Sequence, residues 1–464
     1  MFKGLGLFLL LILSSFGVYT IISKIKSSKK SLFDLGVVIP KILIPKNLDT
    51  TTWSTIAVDQ YTQNDEYWQN VSTIVGDKPS AFKITFPEIY LKEDDNARQQ
   101  RITNIHQQMT NYLNDGIFEE AREEFVYLER TTRYGRVRHG LNIAIDLERY
   151  EYKPFSQALI RSTEATIESR LPTRVAIRKD APIEIPHIMV LVNDPDHKLI
   201  EGLGERVKSN KPLYQGNLML NSGSVKGWSV SSKDDLEYFR ANLEKLAKSN
   251  TQKDGSIFLF AVGDGNYSLA TAKATWEQFK KDHPGITDGN LRYALIEIVN
   301  IYDSGLTFEP IHRVLMNINS EKFVNFMKDK LEGTLETLTS FEDLKNKIEN
   351  SKSDLGFIYK KDGNEQFVLL KTNIKELLIS QLQPAIDDYL AKEETTGQID
   401  FIHGADEIYN LGQKDGYTSV YLPAVDKESF FATISEKGPL PRKSFSMGEA
   451  DEKKFYLECR EIKN

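Results

Sequence analysis

Short apolar runs alternate with amphipathic segments along most of the chain, and this alternation predicts a mixed α/β fold. Continuous apolar runs at residues 188–192 and 257–262 predict two buried strands. Apolar positions at helical spacing predict a helix over residues 98–114, and Gly116 follows where such a helix would end. The pattern contains no internal repeat and no long linker.

The same criteria predict the remaining elements. Ser232, with Asp235 three residues later, resembles a capping box at the start of a helix. The highly charged residues 321–349 are predicted to be helical, and a further helix is predicted over 374–390 with an interruption at Pro384. Other strands are predicted at residues 81–86, 124–130, 141–147, 294–299, 357–359, 367–370, 419–422 and 454–460.

Three parts are predicted along the chain. Residues 1–30 form a leader, residues 31–320 form the main α/β domain, and residues 321–464 form a C-terminal α+β region. The boundary near residue 320 is placed at the start of the charged helical stretch, to within about 15 residues.

The leader carries an uncharged stretch of 18 residues from Leu5 to Ile22, which is long enough to cross a membrane as a helix. One lysine precedes this stretch and four follow it, which predicts a single-pass anchor with the globular part on the cytoplasmic side. A cleaved signal peptide with Ser15 and Gly17 near the cut is the alternative, and the product would then be secreted or lumenal. An incorrectly assigned start codon is a third interpretation.

Composition and charge narrow the function. The 464 residues include 59 Lys and Arg against 66 Asp and Glu, so the net charge is −7. This balance argues against a nucleic-acid partner, because phosphate neutralisation needs clustered basic residues. The single Cys459 excludes an intramolecular disulfide and a Cys-based zinc cluster. The seven histidines form no H-E-x-x-H motif, which argues against a zinc hydrolase, and the oligomeric state stays open.

The loop at residues 263–268 is the strongest candidate site. Gly263 and Gly265 allow a tight turn between a predicted strand and a helix that Ser268 is predicted to open. Such a turn points backbone N–H groups and the positive helix end at one place, which suits a phosphate or carboxylate. Asp264 can hold a metal ion or accept a proton, and Asn266 can supply hydrogen bonds. The alternative is a plain turn in which Asp264 or Asn266 only caps the helix.

Two other groups of residues are candidates. Arg161, Arg174 and Arg178 could bind an anion through their guanidinium forks, or they could belong to a solvated, salt-bridged helix. His312 and Arg313 follow a predicted strand and a turn, and each could serve the site or be a hydrogen-bonded structural residue.

The sequence PRKSFSMGEADEKKFYLECR near the C-terminus combines basic residues with serines. A basic, serine-containing segment with a glycine could close over an anion, and its polar residues are Arg442, Lys443, Ser444, Ser446 and Glu449. An edge hairpin is the alternative.

Nine stretches together resemble the domain of unknown function 1015 family, a prokaryotic family. The resemblance extends over residues 34–462, and the matching stretches are 57–68, 143–152, 160–178, 186–195, 262–274, 308–313, 400–404, 422–427 and 441–458. The family looks like a remote relative of the ParB and sulfiredoxin superfamily, which includes free-serine kinases. The resemblance therefore implies a ParB/sulfiredoxin-like α/β core and a nucleotide-dependent enzyme, with phosphates bound at residues 264–268.

The chain departs from the family pattern at Tyr267, where a histidine is expected. A tyrosine can donate a hydrogen bond but is a poor base near neutral pH, because its usual pKa is about 10. If the family's histidine is a base, this chain is impaired or only binds its ligand.

These observations predict a nucleotide-dependent phosphotransferase that acts on a small hydroxylated metabolite. ATP or ADP would bind with Mg²⁺, Asp264 would hold the metal or accept a proton, and Tyr267 and His312 are the other catalytic candidates. The residues predicted to bind the nucleotide are Gly263, Gly265, Asn266, Ser268, Arg161, Arg174, Arg178 and Arg313. The alternative is a non-catalytic protein that senses a ligand or binds a partner through a degenerate pocket.

Overall fold

The computed structural model describes residues 31–463, except for residues 57–60, 62–63, 88, 91–92 and 393–395. The predicted membrane anchor from Leu5 to Ile22 lies outside the described residues. Within the described ranges, every helix is too short or too polar to cross a membrane.

Strands and helices alternate along the chain, which confirms a mixed α/β fold. The strands are β1 (Val37–Val38), β2 (Lys41–Ile42), β3 (Arg122–Glu123), β4 (Phe125–Thr131), β5 (Val137–Asp146), β6 (Tyr150–Glu151), β7 (Ile160–Ser162), β8 (Ile183–Glu184), β9 (Met189–Val192), β10 (Tyr214–Asn217), β11 (Ser224–Val230), β12 (Phe260–Asp264), β13 (Tyr293–Asn300), β14 (Phe308–Met316), β15 (Thr334–Leu338), β16 (Leu355–Lys361), β17 (Asn364–Lys371), β18 (Gln398–His403), β19 (Tyr417–Tyr421), β20 (Phe445–Met447) and β21 (Arg460–Glu461). The main helices are α1 (Thr50–Trp53), α2 (Asp65–Val75), α3 (Asp95–Asn114), α4 (Leu171–Arg178), α5 (Glu201–Val207), α6 (Lys233–Ser249), α7 (Asn266–Asp282), α8 (Ser320–Lys330), α9 (Phe341–Glu349), α10 (Ile379–Lys392), α11 (Ala405–Gly412) and α12 (Lys427–Lys437).

The larger sheet has the strand order β10-β11-β4-β5-β13-β9-β12-β7-β6, and β1 pairs with β5. Near its centre, β9 is parallel to β13 and antiparallel to β12, and β12 is parallel to β7. Val190 and Leu191 of β9 and Phe260 and Val262 of β12 are fully buried. Both faces of these strands are covered, which explains why their sequences are continuous apolar runs rather than alternating ones.

The second sheet has the order β15-β17-β16-β19-β14-β18, and β20 pairs with the first residues of β14. Side chains from both sheets share one hydrophobic cluster, in which Met189 and Leu191 of the larger sheet pack with Phe430 and Phe445. Strand β20 also contacts β12. The chain after β20 is therefore held against the end of β12, where the loop at 263–268 begins.

Most predicted elements are confirmed with small shifts at their ends. The helix predicted at 98–114 is α3, and Ser232 caps α6 by accepting a hydrogen bond from the backbone N–H of Asp235. The strands predicted at 124–130, 141–147, 188–192, 257–262, 294–299, 357–359, 367–370 and 419–422 correspond to β4, β5, β9, β12, β13, β16, β17 and β19. The helix at 374–390 starts later, as α10, and continues through Pro384.

Four predictions of secondary structure are wrong. The helix predicted to be interrupted at Pro384 continues through this residue as α10. Residues 81–86 contain a 3-10 helix, Ala81–Ile84, capped by Ser80, because Ala81 and Ile84 are buried together at a spacing of three. Residues 321–349 are two helices separated by β15, an edge strand that pairs with β17. Residues 454–460 do not form one continuous strand: Tyr456 and Cys459 make single antiparallel bridges to Thr55 and Leu43, and β21 begins only at Arg460.

Candidate active site

A cavity of about 570 Å³ lies beyond the carboxyl end of β12. Its walls come from the loop after β12, the first turn of α7, helices α3 and α4, residues 183–188, and residues 440–462, called here the C-terminal segment. Cavities of this size hold small-molecule ligands in other proteins.

Two glycines shape the loop between β12 and α7. A Cβ on Gly263 would lie 2.2 Å from Sδ of Met447, so the C-terminal segment packs directly on its backbone. Gly265 has a φ of 82°, in the left-handed region that glycine adopts without strain, and is the N-cap of α7. Helix α7 begins at Asn266, earlier than predicted, and no side chain caps it. The alternative in which Asp264 or Asn266 caps this helix is therefore wrong.

The first turn of α7 presents its backbone to the cavity. Gly265, Asn266, Tyr267 and Ser268 all line the wall. N–H groups of a first helical turn have no acceptor inside the helix and carry its partial positive charge. This end of a 17-residue helix is therefore suited to bind a phosphate or a carboxylate.

The side chain of Asn266 has a structural task. Its Oδ1 accepts hydrogen bonds from Oγ of Ser162 at 2.6 Å and from the backbone N–H of Thr163 at 3.2 Å. Its Nδ2 donates to Oγ1 of Thr163 at 3.3 Å. These bonds join the loop to the end of β7, so the side chain of Asn266 is already engaged within the protein.

Basic side chains outnumber acidic ones around the cavity. The acidic lining residues are Glu164, Asp264 and Glu184. The basic lining residues are Arg174, Arg178, Arg442, Lys443 and Lys453. A cavity with an excess of positive charge, in a chain whose net charge is −7, is a local feature that attracts anions.

Two carboxylates differ in their surroundings. Oδ2 of Asp264 lies 3.7 Å from Nζ of the buried Lys453 and remains partly exposed to the cavity. Burial raises the pKa of Glu164, although Lys443 and Arg442 oppose that shift. The backbone N–H of Lys443 donates to Oε1 of Glu164 at 3.2 Å, which ties the C-terminal segment to this carboxylate.

A hydrogen-bonded chain of three side chains crosses one wall. Oγ of Ser268 is 3.2 Å from Nε2 of His187, and Nδ1 of the same imidazole is 2.8 Å from the hydroxyl of Tyr456. His187 precedes β9, and Tyr456 belongs to the C-terminal segment, so these hydrogen bonds join three distant parts of the sequence.

The model of the family described as protein of unknown function (DUF1015) matches residues 40–400. The chain belongs to this family. That confirms the resemblance to the family.

Solved structures offer distant likenesses only. A free serine kinase variant in complex with AMP has a TM-score of 0.36 and 9% identity, covering 69% of this chain and 91% of that chain. A conserved hypothetical protein from Pyrococcus furiosus has a TM-score of 0.33 and 10% identity, covering 69% and 95%. A truncated SbnI from Staphylococcus aureus has a TM-score of 0.33 and 7% identity, covering 66% and 82%. These scores carry no argument about function, and no curated protein matches the chain.

Tyr267 of this DUF1015 chain faces the cavity and takes part in local contacts. Its hydroxyl accepts a hydrogen bond from the backbone N–H of Ile167 at 3.3 Å. The guanidinium of Arg174 lies 5.3 Å from the centre of its ring, within the range of a cation–π interaction. Tyr267 thus positions Arg174 beside the first turn of α7.

Arg161 is not brought to the cavity. Its Nε donates to the carbonyl of Ala158 at 2.9 Å and its Nη2 to Oγ of Ser256 at 3.0 Å. The guanidinium also lies over the ring of Phe258. These contacts fix a loop at the opposite end of β7 and leave Arg161 outside the cavity lining.

His312 and Arg313 lie on β14, inside the second sheet, and neither belongs to the cavity lining. Nδ1 of His312 accepts a hydrogen bond from the backbone N–H of Leu422, and burial lowers its pKa to about 3. Burial lowers the pKa of Arg313 to about 9, and its Nε donates to Oε1 of Gln383 at 3.0 Å. Both placements match the structural alternative considered for these residues.

The cavity contains site residues that the sequence did not single out. His187, Lys453 and Tyr456 lie within the stretches that resemble the family, but no role was predicted for them. A signal existed for His187, because it lies two residues before the buried strand β9, which pairs with β12. Lys453 and Tyr456 had no comparable signal, since only folding brings the C-terminal segment to α7.

The acidic residues do not form a resident metal centre. Across the described ranges, no group of three or more His, Cys, Asp or Glu side chains is arranged to hold a metal ion. Asp264 by itself offers one carboxylate to the cavity. A magnesium ion that arrives with a polyphosphate needs only one or two protein carboxylates, so this donor set fits a nucleotide-borne Mg²⁺.

Proposed function

We propose that the cavity binds a nucleoside polyphosphate and that the protein is a nucleotide-dependent phosphotransferase for a small hydroxylated metabolite. One observation carries the proposal: the uncapped N-terminus of α7 opens into a cavity in which basic side chains exceed acidic ones. Phosphoryl transfer depends mainly on positioning and charge neutralisation, and both are available here.

The phosphates would lie against the loop and the first turn of α7. Backbone N–H groups from Gly265 to Ser268 would bind phosphate oxygens. Lys453 enters from the C-terminal segment and Arg174 from α4. Charges from two sides would then neutralise the polyphosphate.

The nucleoside would use the apolar part of the same cavity. Ile105 and Met109 of α3, Ile177 of α4 and Ile185 form this part of the wall. Flat heteroaromatic bases bind well between such side chains, and Met adapts its shape to a ligand.

Two carboxylates could serve the acceptor hydroxyl. Asp264 would face the metal or the hydroxyl, and Glu164, whose pKa is raised by burial, would hold or take up a proton. A ParB/sulfiredoxin-like core remains part of this proposal. We also propose a position on the cytoplasmic face of a membrane, supported by the lysines that follow Ile22.

Calorimetric titration of the full chain with ATP and ADP, with and without Mg²⁺, tests the proposal. We expect saturable binding of both nucleotides. Lys453→Met should weaken binding about 10- to 100-fold, because a hydrogen bond to a charged group contributes about 1.5–3 kcal/mol. Lys437→Met, at the end of α12 and outside the cavity lining, is the matched control and should bind as the wild type does.

A second variant separates metal binding from phosphate binding. Asp264→Ala should weaken the titration that contains Mg²⁺ more than the one that lacks it. A folded wild-type protein that binds neither nucleotide at millimolar concentration would rule out the phosphotransferase. Binding without transfer to any hydroxylated metabolite would instead favour the ligand-sensing alternative.

A further inference from the structure

Three side chains in the cavity wall have the arrangement of an activated nucleophile. Oγ of Ser268 and Nε2 of His187 are 3.2 Å apart, and Nδ1 of His187 is 2.8 Å from the hydroxyl of Tyr456. The ring of Tyr456 also meets the imidazole edge-on, with ring centres 5.3 Å apart. A nucleophile, a base within reach and a third group that orients the base are the recurring parts of nucleophilic sites.

We propose that Ser268 is a nucleophile, that His187 is its general base, and that Tyr456 is the positioning residue. When the hydroxyl oxygen of Tyr456 accepts the Nδ1–H of His187, the lone pair of Nε2 points at Ser268. The base can then remove the serine proton. Tyr456 is well placed to fix this tautomer, because it is buried and its backbone N–H donates to the carbonyl of Thr55 at 2.8 Å.

The surroundings of Ser268 favour the attack. Ser268 lies in the first turn of α7, whose backbone N–H groups can stabilise negative charge that develops on the attacked group. Both Ser268 and His187 are partly exposed to the cavity, so a ligand can reach them.

Other cavity hydroxyls lack this arrangement. Oγ of Ser446 donates to the carbonyl of Gly448 at 2.9 Å, and Oγ1 of Thr271 donates to the carbonyl of Tyr267 at 2.7 Å. A hydroxyl that donates to a carbonyl has no base to take its proton. Ser268 differs because its hydrogen-bond partner is an imidazole.

The natural reaction of Ser268 would be its own phosphorylation. This reaction rests on the proposed function, because it needs a nucleoside triphosphate as phosphoryl donor. Oγ of Ser268 forms a bond to the γ-phosphorus, and the bond from that phosphorus to the bridging oxygen breaks. The nucleoside diphosphate leaves with the electron pair of that bond. The serine proton moves to Nε2 of His187, and Ser268 becomes a phosphoserine.

A fluorophosphonate probe on the full chain tests the nucleophile without any nucleotide. Oγ of Ser268 would displace fluoride from the probe, and peptide mass spectrometry would locate the adduct. We expect labelling at Ser268, slowed about 100-fold or more in His187→Gln, because a general base contributes at least that factor. Thr271→Val is the matched control, since it removes a hydroxyl that lines the same cavity, and its labelling rate should equal that of the wild type.

Tyr456→Phe tests the positioning role. The variant keeps the ring and loses the hydroxyl, so the maximal labelling rate should fall about tenfold, the effect of one hydrogen bond. The probe concentration that gives half-maximal labelling should not change, because the probe does not depend on Tyr456 for binding. A merely structural role would instead change both quantities or neither.

Several results would overturn the proposal: no labelling of the folded wild type, labelling at another residue, or undiminished labelling of His187→Gln. If His187→Gln does not fold, treatment of the wild type with diethyl pyrocarbonate replaces it. Ser268 labelling must then be lost as His187 is modified, and labelling that persists contradicts the role of the base. Labelled Ser268 in a protein that does not bind ATP would reject the proposed function and retain the nucleophile.

Discussion

Replacing Glu184 by alanine is expected to lower the free energy of unfolding by about 3–5 kcal/mol. The buried carboxylate of Glu184 accepts from Nε of Arg460 and from Nη2 of Arg178, each at 2.6 Å. It also accepts from the backbone N–H of Leu295 at 2.9 Å. Its removal leaves two guanidinium groups without their carboxylate in a largely buried place, which costs far more than an exposed ion pair. Urea unfolding followed by tryptophan fluorescence measures the loss.

This carboxylate also connects stability to the cavity. Strand β8, which contains Glu184, pairs with β21 at the end of the C-terminal segment, and Glu184 and Arg178 line the cavity wall. We therefore expect Glu184→Ala to weaken nucleotide binding together with stability. Glu461→Ala is the matched control, because Glu461 lies on β21, the strand that pairs with β8, but is exposed. A loss of unfolding free energy below about 1 kcal/mol in Glu184→Ala would show that the ion pairs of Glu184 do not anchor the C-terminal segment.

Replacing Glu297 by alanine is expected to have a similar effect on the other side of the C-terminal segment. The fully buried carboxylate of Glu297 lies 3.1 Å from Nζ of Lys454 and 3.3 Å from Nη2 of Arg138. It fits there because Gly140 lacks a side chain: a Cβ on Gly140 would lie 2.4 Å from Oε1 of Glu297. Removing the carboxylate leaves the buried Arg138 without its ion pair and Lys454 paired with Glu458 alone, and we expect a loss of about 3–5 kcal/mol.

The contribution of Glu297 depends on pH in a defined direction. Burial raises the pKa of Glu297, but Lys454 and Arg138 outweigh burial and hold the pKa below its usual value. The stabilisation is therefore fully present above the unfolded pKa of about 4.3 and is lost as the pH falls through the lower folded pKa. Below about pH 4.3, the wild type should lose unfolding free energy more steeply than Glu297→Gln.

An exposed carboxylate serves as the control for Glu297. Glu336 forms ion pairs with Lys347 and Lys371 on the surface of β15, where solvent screens the interaction. Glu336→Ala should therefore change the unfolding free energy much less than Glu297→Ala. Equal losses in the two variants would mean that burial does not amplify the Glu297 interactions.

The positions of the candidate residues in the fold explain why some of them could be predicted and others could not. The loop at 263–268 was predictable because its signal is local: a buried strand, two glycines and an amphipathic helix follow each other directly. Arg174 and Arg178 were predicted as anion-binding residues, and they do line the cavity, whereas the guanidinium of Arg161 bonds to Ala158 in the loop before its strand. No local sequence feature distinguishes Arg161 from Arg174 and Arg178, because the distance of each arginine from the loop depends on strand order.

His312 is a residue that was a candidate from the sequence but lies away from the cavity in the structure. A polar His-Arg pair beside an apolar strand indicates a functional site or a buried hydrogen-bonded pair equally well. The position of β14 within the second sheet decides between them, because burial there holds the imidazole neutral and away from the cavity.

The sequence by itself determined the class of fold, most strands and helices, the family, and the glycine loop before α7, because each of these depends on neighbouring residues or on their order. Only the tertiary structure decided which side chains share the cavity. Ser268 and His187, which share a hydrogen bond, are 81 residues apart, and His187 and Tyr456 are 269 residues apart. Docking of the C-terminal segment brings Tyr456 to His187 and Lys453 to Asp264. Such contacts arise from buried ion pairs and sheet pairing, which no local sequence pattern predicts.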